Sequence, residues 1–290
     1  MTKTFNLKLR PGVLTLDKRT LVMGVLNLTP DSFSDGGKFF SLRRAVQHAL
    51  AMERDGADII DIGAESTRPG AEQISAEEEL ARLLPVLEAL RGRLKIPVSV
   101  DTQRAAVAES ALRAGAKIIN DISGLRSDAR LAEVAAKSGA QLILMHMRGT
   151  PRTMQKGPFA RDVVQDVLRG LRKSIATARK FGVSRSQIVI DPGIGFGKSF
   201  SQNYELLAKL DQIAKLGYPI MIGTSRKGFL GATLATNGKP APLDKRIWGT
   251  AATVTASILN GANIVRVHDV AEMKQVATVA DAVLAQSGSR

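Results

Sequence analysis

Several short apolar runs in this sequence end on a side chain that could do chemistry. "VSVD" closes on Asp101, "IVID" on Asp191 before Pro192-Gly193, "AGAKIINDI" carries Asn120, and "NGANIVRVH" brings Arg266 and His268. Lys227 follows another such run, in "GTSRKG". A carboxylate accepts two hydrogen bonds from the N–H/NH₂ edge of a flat, nitrogen-rich heterocycle, more selectively than a neutral group does. Arg266, His268 and loop amides suit phosphate oxygens, and Asn27 with Asp35 offers the hard oxygens that Mg²⁺ takes alongside substrate phosphate and water. The set points to a transferase or lyase acting on a diphosphate ester.

Other chemistries fit poorly. There is no HExxH-type zinc spacing and no GxSxG around any serine. The chain has no cysteine, which removes disulfides and thiolate catalysis. "GIGFGK", residues 193–198, resembles a phosphate loop but lacks the full P-loop spacing. His48 lies in the middle of a helical stretch and reads as structural. The net charge of +14 invites a nucleic-acid partner, yet the basic residues are scattered among acids with no aromatic-interleaved stripe. A solvated basic surface that attracts small anions explains it better, and no nucleic-acid partner is expected.

These side chains need a scaffold that brings them together. Four segments share one grammar: "DGADIIDIG", "AGAKIINDI", "SGAQLILMH" and "NGANIVRVH". Each follows an Ala-rich amphipathic stretch, and Gly56, Gly115, Gly139 and Gly261 stand where a helix ends on a left-handed glycine. A short β-branched run follows, the mark of a strand covered on both faces. Further strands are expected at Leu21–Leu26, Pro97–Val100, Gln187–Ile190 and Pro219–Ile222. About eight strands alternating with helices predict an α/β fold; an open doubly wound sheet is the alternative, but eight uninterrupted alternations favour closure into a single (β/α)₈ TIM barrel. Residues 1–20 read as a β-hairpin around Pro11-Gly12 that closes the barrel bottom, residues 21–290 as the barrel, and the whole as one domain. No apolar run is long enough for a membrane span, and the first residues lack the apolar core of a signal peptide. A cytoplasmic protein without a membrane partner is expected.

The repeat also predicts which side chains share a face. Five residues past each glycine stand Asp61, Asn120, Leu144 and Arg266; seven past stand Gly63, Ile122, His146 and His268. Alternation puts these positions on one side of each strand, expected to be the barrel interior. An aspartate at a strand end often only caps the next helix. Polar residues recurring at the same end of several strands instead suggest the C-terminal rim, where such barrels build active sites.

The stretch "VLNLTPDSFSDGG", residues 25–37, begins as a strand and becomes a loop of small oxygen-bearing side chains around Phe33. A connection needs no aromatic there, whereas a loop that covers a reactive intermediate does.

Taken together, "MGVLNLTPDSFSDGG", "ESTRPGAE", "VSVDT", "INDISG", "MHMRGTPRTMQ", "DPGIGFGK", "GTSRKGF" and "RVHDV" resemble the dihydropteroate synthase family of pterin-binding β/α barrels, in family order from Leu21 to Val270. The resemblance implies a transferase of folate biosynthesis that joins 6-hydroxymethyl-7,8-dihydropterin diphosphate to 4-aminobenzoate and releases pyrophosphate. It implies pterin binding by Asp101, Asn120, Asp191 and Lys227, with Asp191 on the 2-amino/N3 edge and Lys227 on the carbonyl side. It implies a diphosphate pocket of Asn27, Thr67, Arg266 and His268, and an aminobenzoate site of Thr67, Arg68, Pro69, Phe196 and Ser225. Mg²⁺ would sit on Asn27 and Asp35. Phe33, Asp35, Arg68 and Lys227 would serve catalysis through a dissociative, cationic pathway, and a homodimer is expected. Gly228 and Gln73 depart from the family pattern without removing a contact. The alternative reading, a pterin-dependent methyltransferase barrel, has no need of a diphosphate pocket or of the 25–37 loop.

Overall fold

The structure, a computed structural model, describes residues 5–9, 12–16, 19–28, 38–65, 73–154 and 156–286. Two antiparallel strands come first, β1 (Phe5–Lys8) and β2 (Val13–Leu16). There follow β3 (Leu21–Asn27), α1 (Lys38–Arg54), β4 (Ile59–Gly63), α2 (Ala76–Leu90), β5 (Val98–Asp101), α3 (Ala105–Arg113), β6 (Ile118–Asp121) and α4 (Arg130–Ser138). The second half runs β7 (Gln141–Met145), α5 (Val163–Lys180), β8 (Ile188–Asp191), α6 (Phe200–Ala208), α7 (Leu210–Ala214), β9 (Met221–Ile222), α8 (Gly228–Thr233), α9 (Ile247–Leu259), β10 (Ile264–Val267) and α10 (Val270–Gln286).

Strands β3 to β10 form one parallel sheet of eight in the order β8-β7-β6-β5-β4-β3-β10-β9, and a bridge between Ile190 and Ile220 joins the two ends. This is the expected (β/α)₈ barrel. Helices pack outside against the outward strand residues, with Val22, Ile60, Val100 and Val265 on one side of the barrel and Ile119, Leu142 and Ile190 on the other. Helices α2 and α5 start on side-chain caps: Ser75 accepts from Glu78 N at 3.2 Å and Asp162 from Gln165 N at 3.0 Å. Among the described residues no helix is long and apolar enough to cross a membrane.

The barrel interior is closed at its N-terminal end by Leu21, Met23, Ile59, Ile118, Ile143, Val189, Met221 and Ile264. Leu7 and Leu16 of the hairpin join that layer, so the hairpin does close the bottom.

The register prediction fails at one strand. Ile59, Ile118 and Ile264, three past their glycines, line the floor, and Asp61, Asn120 and Arg266 follow them on the inner face. In β7, however, Gln141 pairs level with Ile118 and Ile143 pairs level with Asn120. Leu144 therefore packs outward with Ile190 and Leu171, and His146 seats its ring against α5, where a Cβ on Gly170 would lie 2.3 Å from His146 Cδ2. The helix ends explain the slip. At Gly56, Gly115 and Gly261 the next N–H reaches back five residues: Ala57 to Met52, Ala116 to Ala111, Ala262 to Ser257. At Gly139 only the glycine N–H bonds back, to Ala135 O, and Ala140 N donates to Ser138 Oγ instead. The Schellman closure is replaced by the simpler left-handed one, and the strand enters one residue out of phase.

Candidate active site

Asp61, Asp101, Asn120 and Arg266 share one hydrogen-bond network at the C-terminal end of the barrel interior. Arg266 Nε donates to Asp61 Oδ2 at 2.7 Å and its Nη2 to Asp101 Oδ2 at 3.2 Å. Asn120 Nδ2 donates to the same Asp61 oxygen at 3.0 Å. Strand pairing produces this grouping: Asp101 lies level with Gly63 on one side and Asn120 on the other. Asp61 Oδ1 and Asn120 Oδ1 are buried and lack a partner among the described residues, so acceptor capacity remains in the pocket.

One guanidinium serves two carboxylates here. Asp61 has the shorter contact and the amide as well. Burial, with Asp61, Glu79 and Asp121 nearby, pushes Asp101 up to about 8 against the opposing pull of Arg266. Burial thus favours the protonated form of Asp101 more than an ordinary carboxylate's surroundings would.

Asp191 closes β8 and is buried, with Oδ1 accepting from Gly193 N at 2.6 Å. Burial raises its pKa, opposed chiefly by the Lys227 ammonium. Lys227 donates to Ile194 O and stands 4.7 Å from the centroid of the Phe196 ring. Burial, partly offset by Asp191, brings Lys227 down to about 8. Its neighbour Arg226 holds a left-handed backbone at φ 59. That strained turn is fixed from three sides: Thr250 Oγ1 accepts from Arg226 N at 3.2 Å, Arg246 Nη1 donates to Arg226 O at 2.8 Å, and Asp269 pairs the guanidinium. Ile122, Met145, Met147 and Met154 form an apolar cluster against which Phe196 packs.

His268 N donates to Ser225 Oγ at 3.2 Å, and that hydroxyl lies 3.0 Å from His268 Nδ1. Burial, then Arg266 and Arg226, push His268 down to about 4, so near pH 7 it is a neutral donor. Asn27 ends β3, half-buried, level with Gly63. Phe33, Asp35, Thr67, Arg68 and Pro69 lie outside the described residues. Among the described residues, no group of three His, Cys, Asp or Glu side chains could hold a metal by itself.

Asp61, expected on the inner face but in no binding role, joins this network, and its offset from Gly56, equal to that of Asn120 from Gly115 and Arg266 from Gly261, is the signal for it. Lys198, buried behind the site, gave no such signal, because a lysine in a glycine-rich run reads as a phosphate ligand. Its ammonium reaches Phe196 O at 2.9 Å, and burial, partly offset by Asp191, brings its pKa down to about 7.

Residues 23–268 match the family model described as pterin binding enzyme. A dihydropteroate synthase of Synechocystis sp. is 50% identical over 266 residues, 92% of this chain and 91% of that protein. Among solved structures, the Xanthomonas albilineans dihydropteroate synthase with 4-aminobenzoic acid superposes with a TM-score of 0.89 at 40% identity, covering 97% of this chain and 98% of that one. The Yersinia pestis dihydropteroate synthase solved with a sulfonamide drug gives 0.88 at 42% identity, covering 96% and 99%.

Proposed function

The chain belongs to the dihydropteroate synthases among the pterin-binding enzymes, and from this premise we infer that it joins 6-hydroxymethyl-7,8-dihydropterin diphosphate to 4-aminobenzoate, releasing pyrophosphate. It is a transferase acting on small molecules. The observation that carries the residue-level reading is the buried convergence of Asp101, Asn120, Asp191, Lys227 and Arg266 on one barrel mouth. We propose that Asp191 accepts from the 2-amino/N3 edge of the pterin, that Lys227 donates on its carbonyl side, and that Asp101 and Asn120 complete recognition. A buried acceptor pair suits that edge because a neutral amide in its place would turn a donor toward another donor.

Asn27, Thr67, Arg266 and His268 are proposed to hold the diphosphate. Arg266 supplies charge and His268, neutral at pH 7, supplies an N–H. The donor set of Asn27 and Asp35 is oxygen only and fits Mg²⁺, an ion that needs few protein ligands when substrate phosphate completes its shell. Bound there, Mg²⁺ would supply positive charge to offset that of the departing diphosphate. Thr67, Arg68, Pro69, Phe196 and Ser225 are proposed to form the aminobenzoate site. Diphosphate departure before arylamine attack leaves a pterin-methyl cation; Phe33 would shield it from water and Asp35 stabilise it. Residues 21–290 are read as one catalytic unit with residues 1–20 as its floor. Exposed apolar side chains on the last helices, Trp248 at 78% exposure with Val279 and Val283, support a homodimer.

The test is turnover with the pterin diphosphate, 4-aminobenzoate and Mg²⁺, following pyrophosphate. Binding should be ordered: 4-aminobenzoate and sulfonamides should bind weakly to the free enzyme and tightly once Mg²⁺ and pyrophosphate are present. Equal affinity in both conditions contradicts the proposed loop roles.

A further inference from the structure

The run "GIGFGK" looks like a phosphate loop in the sequence, and the substrate contacts proposed above leave its lysine unused. Lys198 is only 2% exposed. Its Nζ lies 2.9 Å from Phe196 O, 3.2 Å from His146 O and 3.2 Å from His146 Nδ1. An ammonium has three N–H donors, and these three acceptors use them all. No N–H remains for a phosphate. His146 is suited to its part: burial, then Lys198, Arg126 and Arg148, hold it neutral with its pKa near 3, so Nδ1 can accept.

The backbone around this contact leaves little slack. Gly193 and Gly197 have φ of 69 and 70, and a Cβ on them would lie 1.9 Å from His146 O and 2.2 Å from Arg148 O. The loop after β8 is therefore pressed directly onto residues 146–148 after β7, and Lys198 ties the two together. Asp191 opens that loop, and Phe196, whose carbonyl the lysine holds, presents its ring to the Lys227 ammonium.

We propose that Lys198 is a positioning residue: by clamping Phe196 O to the His146 segment, it fixes the Phe196 ring beside Lys227 and so sets the affinity of the site for the arylamine acid. This rests on the reading of Phe196 as part of the aminobenzoate site. The β7 register slip is what makes the clamp possible, since it turns His146 out of the barrel interior and toward this loop.

The test compares wild type, Lys198→Met and Phe196→Ala as full chains in steady-state kinetics, with pyrophosphate affinity measured by calorimetry. Lys198→Met should raise the KM for 4-aminobenzoate about tenfold, the scale of a small misplacement of a binding group. The KM for the pterin diphosphate should stay within about twofold, since that binding is made elsewhere. Pyrophosphate affinity should not change; a loss would make Lys198 a phosphate ligand and overturn the proposal. A rise in both KM values together would mean general loosening and would also overturn it. Should Lys198→Met fail to fold, His146→Leu removes one of the three acceptors and should give the same selective change, about threefold. Labelling with 4-fluorophenylalanine, with the Phe196 resonance assigned through Phe196→Leu, separates the two ideas. If Phe196→Ala leaves the aminobenzoate KM unchanged, the reading of the pocket is wrong. If loss of the clamp at Lys198 or His146 leaves the Phe196 resonance unmoved, the clamp itself is wrong.

Discussion

The floor and the mouth of this barrel are built from the same strands, two residues apart. Ile59 is followed on the inner face by Asp61, Ile118 by Asn120, Val189 by Asp191 and Ile264 by Arg266. The floor closes with interlocking aliphatic side chains that gain by leaving water. The mouth buries carboxylates, an amide and cations whose needs are met only in part among the described residues, as the oxygens of Asp61 and Asn120 without a partner there record. A buried polar group without a full set of partners opposes folding and favours whatever ligand completes it. One end of each strand therefore holds the fold, and the other end, at some cost to stability, carries the residues proposed to bind the substrate.

The sharpest test of that division lies in the floor. Ile118→Ala should destabilise the protein by about 2–5 kcal/mol through lost burial and an unfilled cavity. Denaturant titration measures this, and calorimetry well below the melting point should find the folded protein's pterin affinity unchanged. A comparable loss of affinity would mean that the floor shapes the site as well.

The mirror experiment is Asp191→Asn. Pterin binding should weaken by about 2–4 kcal/mol, from a lost charge-assisted bond and an amide turned toward a donor. The melting temperature should change little, because relief of the buried carboxyl is opposed by the loss of the charge that offsets burial of the Lys227 ammonium. Unchanged pterin affinity would take Asp191 out of the site.

A third test uses pH. Asp101 has a folded-state pKa near 8 against an ordinary value of 3.8. Its contribution to stability is therefore fully present below about pH 4 and is lost as pH rises through 8. Asp101→Asn removes that dependence, so its melting temperature should gain on the wild type between pH 5 and pH 8, by several degrees for a difference of about 4 kcal/mol. Ile118→Ala, which removes no titrating group, should shift the melt equally at both values. An equal shift for Asp101→Asn would mean that its carboxyl is not strained by burial.

The strand-to-face logic was legible because three αβ turns are alike: the same Gly-Ala step and the same back-bond after the helix lead Asp61, Asn120 and Arg266 inward. The pairing of Arg266 with Asp61, 205 residues apart, follows only from barrel closure, which the repeat implies but does not detail. Lys198 was not legible, because nothing local tells a buried ammonium from one awaiting a phosphate. Nor was the outward turn of His146, since Gly139 looks like its three counterparts in sequence and differs in how its helix end is bonded and in its backbone, with φ 74 against 97, 119 and 107.

That last difference gives the smallest effect and the most specific test. Gly139 has φ 74 and closes α4 through one bond to Ala135 O, with Ser138 Oγ taking the N–H of Ala140. Gly139→Ala places a Cβ in left-handed backbone and should cost about 1 kcal/mol in stability. Gly139→Asn should cost less, because asparagine tolerates this conformation. Ser138→Ala, which removes the hydroxyl that replaces the usual back-bond, should cost about 0.5–1.5 kcal/mol. Steady-state kinetics on these three variants should stay near wild type as long as β7 keeps its register. A shift by one residue would send Leu144 and His146 inward and Ile143 out of the floor. The floor would then lose a member and the mouth would gain an imidazole, so stability and activity would fall together. A variant at Gly139 that lowers stability alone shows that β7 register is held by pairing with β6 and β8, whereas one that lowers both places its control in the helix end.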